Sequence, residues 1–172
     1  KFSHKRELAP EILFAEANRK LNNSENLEEI IDMLYSLAKN YPNFGKTYNH
    51  LGWIFETKFR DYVKAEENYK KALELSPEYP AIYENYASIL ERLRKLDELK
   101  VILDLGLANP SVNQAAMHEY YGRYYELKGE YDLAISEFRK SIGESFSAPI
   151  ITDLQECIKR CQQKKTILRV DE

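Results

Sequence analysis

Residues 47–77 read TYNHLGWIFETKFRDYVKAEENYKKALELSP. Within them Leu51-Gly52 follows Tyr48 and precedes Phe55 at helical spacing, and Ala65, Tyr69, Ala72 and Pro77 come after. Side chains three and four apart share one face of a helix. Gly52 and Ala65 are small where two helices would bring their backbones together, and Tyr48, Phe55, Tyr69 and Ala72 are sized to fill the crevice between them. The stretch KFRD separates the two helical segments, with Asp61 placed as an N-cap. The pattern predicts an antiparallel helix pair. Pro77 is expected to open the next one, because proline suits a first helical turn.

The same pattern can be laid over the rest of the chain. Counterparts of Gly52 fall at Asn18, Ala87 and Gly122, at intervals of 34, 35 and 35 residues. Counterparts of Ala65 fall at Ile31, Leu99 and Ala134, at intervals of 34, 34 and 35, and a bulky residue recurs at Tyr35, Tyr69, Leu103 and Phe138. Two anchors that return one period mark internal repeats. The aromatic–Leu-Gly–aromatic, Ala–aromatic–Ala, Pro pattern resembles the tetratricopeptide repeat over roughly residues 10–164, most specifically in repeats two and four. A plain helical array, or the half-a-TPR repeats of RNA-processing scaffolds, shares only the coarser features.

The resemblance implies an all-α fold: a right-handed superhelical array of about four helix-turn-helix repeats with a C-terminal capping helix. The repeats are expected at about 10–42, 43–77, 78–110 and 111–146, and the capping helix at 147–164. Residues 1–9 and 165–172 are expected to be tails. Pro10-Glu11 reads as a helix start, and Asn26 with Glu29 as a capping box. Repeat one is degenerate at Asn18 and Ile31, as an end repeat without a preceding neighbour can be. In repeat three Leu99 stands where alanine is usual. Gly129 suits a turn that needs positive φ. In the last helix Ile150, Ile151, Leu154, Cys157, Ile158 and Cys161 form an apolar stripe, and Lys159, Arg160, Lys164 and Lys165 are expected to face water.

The resemblance also implies a concave groove lined by the first helix of each repeat, which takes a protein or peptide partner. The register places Glu16, Arg19 and Asn22 there from repeat one, Lys46, Asn49, His50, Trp53, Glu56 and Thr57 from repeat two, and Glu84, Asn85, Ser88, Glu91 and Arg92 from repeat three. Repeat four contributes Glu119, Tyr120, Arg123 and Glu126. Lys46, Asn49, His50, Trp53, Glu84, Asn85, Glu119, Tyr120 and Arg123 are the candidate binding residues. Trp53 is the sole tryptophan, and an aromatic side chain in a concavity is a common anchor. The carboxylate clamp that some family members direct at chaperone tails maps onto Asn49, Trp53, Asn85, Ala116 and Tyr120. Only Asn85 matches, which weighs against that specificity.

Composition narrows the field further. The chain has 172 residues and a net charge of −3, so neither nucleic acid nor an anionic membrane is demanded. No apolar run approaches the roughly 20 residues that span a bilayer. The first residues lack the apolar core of a signal peptide, and the absence of an initiator Met keeps open that the chain belongs to a longer protein, including as the regulatory domain of an enzyme. Cys157 and Cys161 read as small apolar residues on one helix face; they favour, weakly, a reducing and hence cytoplasmic compartment. His4, His50 and His118 are scattered, and no nucleophile has a base and an orienter beside it. No enzyme activity, cofactor or metal is therefore expected. Tyr48, Tyr69, Tyr83, Tyr86, Tyr121, Tyr125 and Tyr131 fall at packing positions rather than on a stacking surface for RNA. The basic last helix is the one candidate nucleic-acid face, and self-association stays open.

Overall fold

The structure is a computed structural model that describes residues 3–168, with side chains from residue 9 onward. All regular structure among the described residues is helical: α1 (Ser3–Asn22), α2 (Leu27–Asn40), α3 (Gly45–Ile54), α4 (Tyr62–Leu75), α5 (Ala81–Arg92), α6 (Leu96–Ala108), α7 (Gln114–Leu127), α8 (Tyr131–Glu144) and α9 (Ala148–Leu168). A π-helical turn, Phe55–Phe59, continues α3. The helices alternate as first and second members of hairpins. The chain divides into two compact units, residues 1–85 and 86–172, with the boundary inside α5.

Each unit has its own apolar core. In the first, Phe14 and Ala17 of α1 and Ile30, Leu34 and Leu37 of α2 are buried with Tyr48, Leu51 and Ile54 of α3 and Ala72 of α4. In the second, Ala134, Ile135 and Phe138 of α8 pack with Leu154 and Cys161 of α9. Glycine is required where a second helix lays an aromatic ring on the first. A Cβ on Gly52 would lie 2.7 Å from ring carbons of Tyr69, and one on Gly122 would collide with the ring of Phe138. Both rings are fully buried.

The register of the first repeat differs from the sequence expectation by one residue. Ala17, not Asn18, is the fully buried small residue of α1, and it stands 35 residues before Gly52. In α2, Ile30 and Leu34 are buried where Ile31 and Tyr35 were expected; Leu34 is 0% exposed and Tyr35 50%. The physical reason is the capping residue. Asn26 caps α2 and Asp61 caps α4, 35 residues apart, so the buried face counted from the cap falls on Ile30 and Leu34. The Asn26 carboxamide accepts from the Glu28 amide at 3.0 Å, while Glu29 pairs with Lys20 at 2.8 Å rather than closing a capping box.

The residue added in KFRD is absorbed by the π-turn. At the end of each first helix the chain passes through one left-handed residue: Ser24 (φ 53°), Arg60 (54°), Arg94 (58°) and Gly129 (77°). A backbone bond closes each turn: Glu25 to Lys20, Lys95 to Leu90 and Glu130 to Tyr125, five residues apart. In repeat two the equivalent bond runs from Asp61 to Phe55, six residues apart, at 2.9 Å. A π-turn holds one more residue than an α-turn, so Gly52 still meets Tyr69.

Two helix starts also differ. α1 begins at Ser3, so Pro10 lies inside it rather than in its opening turn. A proline forfeits only its own backbone donor and crowds one preceding carbonyl, and the helix continues past it. Pro77 precedes α5 by a turn instead of starting it. Its carbonyl accepts from the Tyr83 hydroxyl at 2.8 Å, as Pro42 does from Tyr48 at 3.0 Å one repeat earlier. At the other end α9 reaches Leu168, into the expected tail, and residues 169–172 lie outside the described residues.

The register can be tested by truncation. Leu34→Ala should lower unfolding free energy by about 2–5 kcal/mol, as core truncations do, whereas Tyr35→Ala should cost under about 1 kcal/mol. Urea denaturation of the two variants measures the difference, and a larger loss for Tyr35→Ala would restore the one-residue-shifted register.

Candidate functional site: the first-helix faces

In the first unit, most of the polar residues proposed from sequence join one first helix to the next. Lys46 of α3 bonds Glu11 of α1 at 2.8 and 3.1 Å, and its ammonium lies 5.4 Å from the centre of the Tyr79 ring. His50 Nε2 lies 2.9 Å from Asn18 Oδ1, and Phe14 sets its ring edge-on against the imidazole at 4.5 Å. The Asn85 amide donates to Asn49 Oδ1 at 3.1 Å. These partners are 35, 32 and 36 residues apart, about one repeat each. Neighbouring helices therefore occupy these side chains. Asn49 and His50 are buried, so they position α3 instead of presenting hydrogen bonds to a ligand. Trp53 is half-buried and packs against the core, with Lys58 over its ring at 5.4 Å. Glu84 is exposed. Glu56 departs from the expectation altogether: within the π-turn it is buried and accepts from the Tyr69 hydroxyl at 2.8 Å.

His50 carries the main electrostatic consequence of this packing. Burial disfavours the charged ring and lowers its pKa from 6.5 to about 4, against a weaker opposing influence of the Lys46 carbonyl. That carbonyl makes no well-formed hydrogen bond with Nδ1.

In the second unit, Arg123 of α7 bonds Glu119 on its own helix, reaches Glu91 of α5 at 3.4 Å, and sits 5.4 Å from the centre of the Tyr120 ring. Glu119, Tyr120 and Arg123 thus form one half-exposed cluster. Glu126, expected in the groove, is instead taken by α9. Arg160 donates to it at 2.7 and 2.6 Å and Lys164 at 2.8 Å, and Lys165 bonds Asp132. The hydrogen bond from Arg160, opposed by burial and aided by Lys164, holds the Glu126 carboxyl at about 2. Of the four cations expected to face water, only Lys159 does so without a partner on another helix. The other three are held by two acids about one repeat away, Glu126 and Asp132.

Two concavities stand out: the first lies outside the sequence reading, while of the lining of the second Ser88, Glu91, Arg92 and Arg123 were expected in the groove and Arg94 was not. One, about 400 Å³, is floored by Leu51 and Ile54 and walled by Ile31, Tyr35, Phe55 and Phe59. It arises from the α2 register and the π-turn, neither of which the consensus spacing reveals. The other, about 360 Å³, is lined by Ser88, Glu91, Arg92, Arg94 and Arg123. The run ERLRK at 91–95 was a visible signal for it, since Arg92 and Arg94 end a first helix. Among the described residues no three His, Cys, Asp or Glu side chains converge as metal ligands. Cys161 is buried and Cys157 half-buried, both facing the α8–α9 core; burial pushes the Cys161 thiol up to about 11. His118 is paired with Glu137 at 2.7 Å. No helix among the described residues is long and apolar enough to cross a membrane.

These hairpins, with a small residue on each first helix and a period of 34 to 36 residues, define a helical-repeat protein. The sequence profile of the tetratricopeptide repeat matches residues 45–79. The fold is similar to that of PilW, a widely conserved type IV pilus biogenesis factor (17% identity, 91% of this chain and 76% of that one, TM-score 0.73). It is also similar to MamA 41-end from Desulfovibrio magneticus RS-1 (15% identity, 93% of each chain, TM-score 0.68). A third similar fold is TTC0263, a thermophilic TPR protein of Thermus thermophilus (18% identity, 92% of this chain and 87% of that one, TM-score 0.60). Comparison with curated protein sequences gives no match. The chain thus shares a helical-repeat fold with these proteins, and one of its repeats matches the tetratricopeptide profile.

The buried His50 predicts a pH dependence. Its folded pKa lies below the unfolded value, so the unfolded chain takes up the proton first as pH falls. The stabilisation is complete above about 6.5 and is lost progressively toward 4. Between pH 7 and pH 5 the loss should be roughly 2 kcal/mol. The imidazole C2 proton, followed by NMR, should titrate near 4; a midpoint near 6.5 would place the ring in water.

Proposed function

We propose that the chain is a non-enzymatic protein-interaction module that binds a peptide or protein segment on the first-helix faces. The observation that carries this reading is the division of labour among the candidate residues. Lys46, Asn49, His50 and Asn85 fix successive first helices, while Trp53 and Glu84 stay partly or fully exposed within the first unit, and Glu119, Tyr120 and Arg123 stay partly exposed within the second. Rigid, half-buried aromatic and guanidinium groups are the side chains that most often dominate protein interfaces. The tetratricopeptide fold is generally a non-catalytic scaffold. Similar folds occur in differently named proteins, so the fold supports a mode of action and leaves the partner to experiment.

Photo-crosslinking tests the reading. A photoreactive phenylalanine analogue at Glu84 or at Tyr120 should trap a protein from source lysate, whereas the same group at Lys70, exposed on the second helix α4, should not. A homodimeric product would identify a second copy of the chain as the partner. Crosslinks from Lys70 alone would move binding to the second-helix face and overturn the assignment.

A further inference from the structure

We propose that the arginine-lined concavity of the second unit accepts a carboxylate of a partner's acidic segment. The inference rests on the protein-binding reading above and names the chemistry of what is bound. The lining holds three guanidinium groups, Arg92, Arg94 and Arg123, one hydroxyl, Ser88, and a single carboxylate, Glu91. The groups come from three places in the fold: the last turns of α5, the left-handed residue after it, and the middle of α7. Convergence from separated elements makes this a pocket rather than a charged helix face.

The arginines differ in what they already hold. Arg123 is fixed by Glu119 and, at 3.4 Å, by Glu91, with the Tyr120 ring beside it. It is therefore oriented before any ligand arrives. Arg94 is exposed and forms no ion pair among the described residues. A guanidinium offers a planar pair of donors that matches a carboxylate, and a neighbouring hydroxyl adds a third. A cavity of about 360 Å³ has room for an acidic side chain and its backbone. Protein acids fit better than nucleic acid. The lining sets Glu91 beside its three guanidinium groups, so it suits a single carboxylate better than a run of phosphates.

The backbone supplies a variant that removes the charge without harming the fold. Arg94 is the left-handed cap of repeat three, at φ 58°, in the place that Gly129 takes in repeat four. Glycine adopts this conformation without steric cost. Arg94→Gly should therefore leave Tm unchanged or raise it, so lost binding cannot be attributed to unfolding.

The experiment follows the arginine Nε–H signals of the full ¹⁵N-labelled chain by NMR. Hexaglutamate is titrated to millimolar concentration, with hexaglutamine and hexauridylate as separate arms. The expected result is that the Arg94 and Arg123 signals shift with hexaglutamate and not with hexaglutamine. Arg94→Gly should weaken binding at least tenfold while Tm holds. No shift with hexaglutamate, an equal shift with hexaglutamine, or unchanged affinity in Arg94→Gly would each overturn the proposal. Tighter binding of hexauridylate than of hexaglutamate would overturn it in favour of a nucleic-acid site. Crosslinks from Glu84 and Tyr120 without these shifts would leave protein binding in place and remove its acidic specificity.

Discussion

An aromatic ring lying on a glycine backbone is the contact on which the hairpins in repeats two and four depend. Tyr69 covers Gly52 and Phe138 covers Gly122, each ring fully buried and each leaving no room for a methyl group. The contact brings the helices close enough for the smaller apolar residues, Ala65 and Ala134, to be excluded from water as well. It also fixes rotation about each helix axis. A rotation of one residue, about 100°, would expose the ring and drive a larger side chain into the crevice. The other side chains of the first helix are oriented as a consequence.

Polar pairs about one repeat apart join consecutive first helices: Glu11 with Lys46, Asn18 with His50, Asn49 with Asn85, Glu91 with Arg123, and Glu126 with Arg160. α9 takes part through Arg160, so it behaves as a fifth first helix that covers the last hairpin. Its outward side is polar, with Gln155, Glu156, Lys159, Gln162 and Gln163 exposed. A polar outer face is what ends a repeat array in water.

The fold was legible because its signal is steric and local. Gly52, Ala65, Tyr69 and their counterparts in repeat four are set by contacts within one hairpin, and the sequence carries those contacts as spacing. Repeat one was misread by one residue because counting back 34 from Gly52 lands on Asn18, while the capped helix places Ala17 there. The site was less legible for a different reason. Whether Asn49 or His50 of α3 is open depends on what the adjacent first helix offers, and Asn85 and Asn18 lie about one repeat away. The same holds for Glu126, whose partner Arg160 sits in a helix that had been read as a lid with a wet basic side. Glu56 was lost to the π-turn, since an extra residue can widen a helix or lengthen a loop and spacing alone does not choose.

A double-mutant cycle on Gly122→Ala and Phe138→Leu tests the ring-on-glycine contact most directly. Chemical denaturation of the four proteins gives the coupling between the two positions. The methyl group collides with the Phe138 ring, so its cost, about 1–3 kcal/mol, should largely disappear once the ring is gone. A coupling of at least about 1 kcal/mol is therefore predicted. Additive effects, within about 0.5 kcal/mol, would show that the glycine and the ring do not meet, and would contradict the account of how the hairpin is closed.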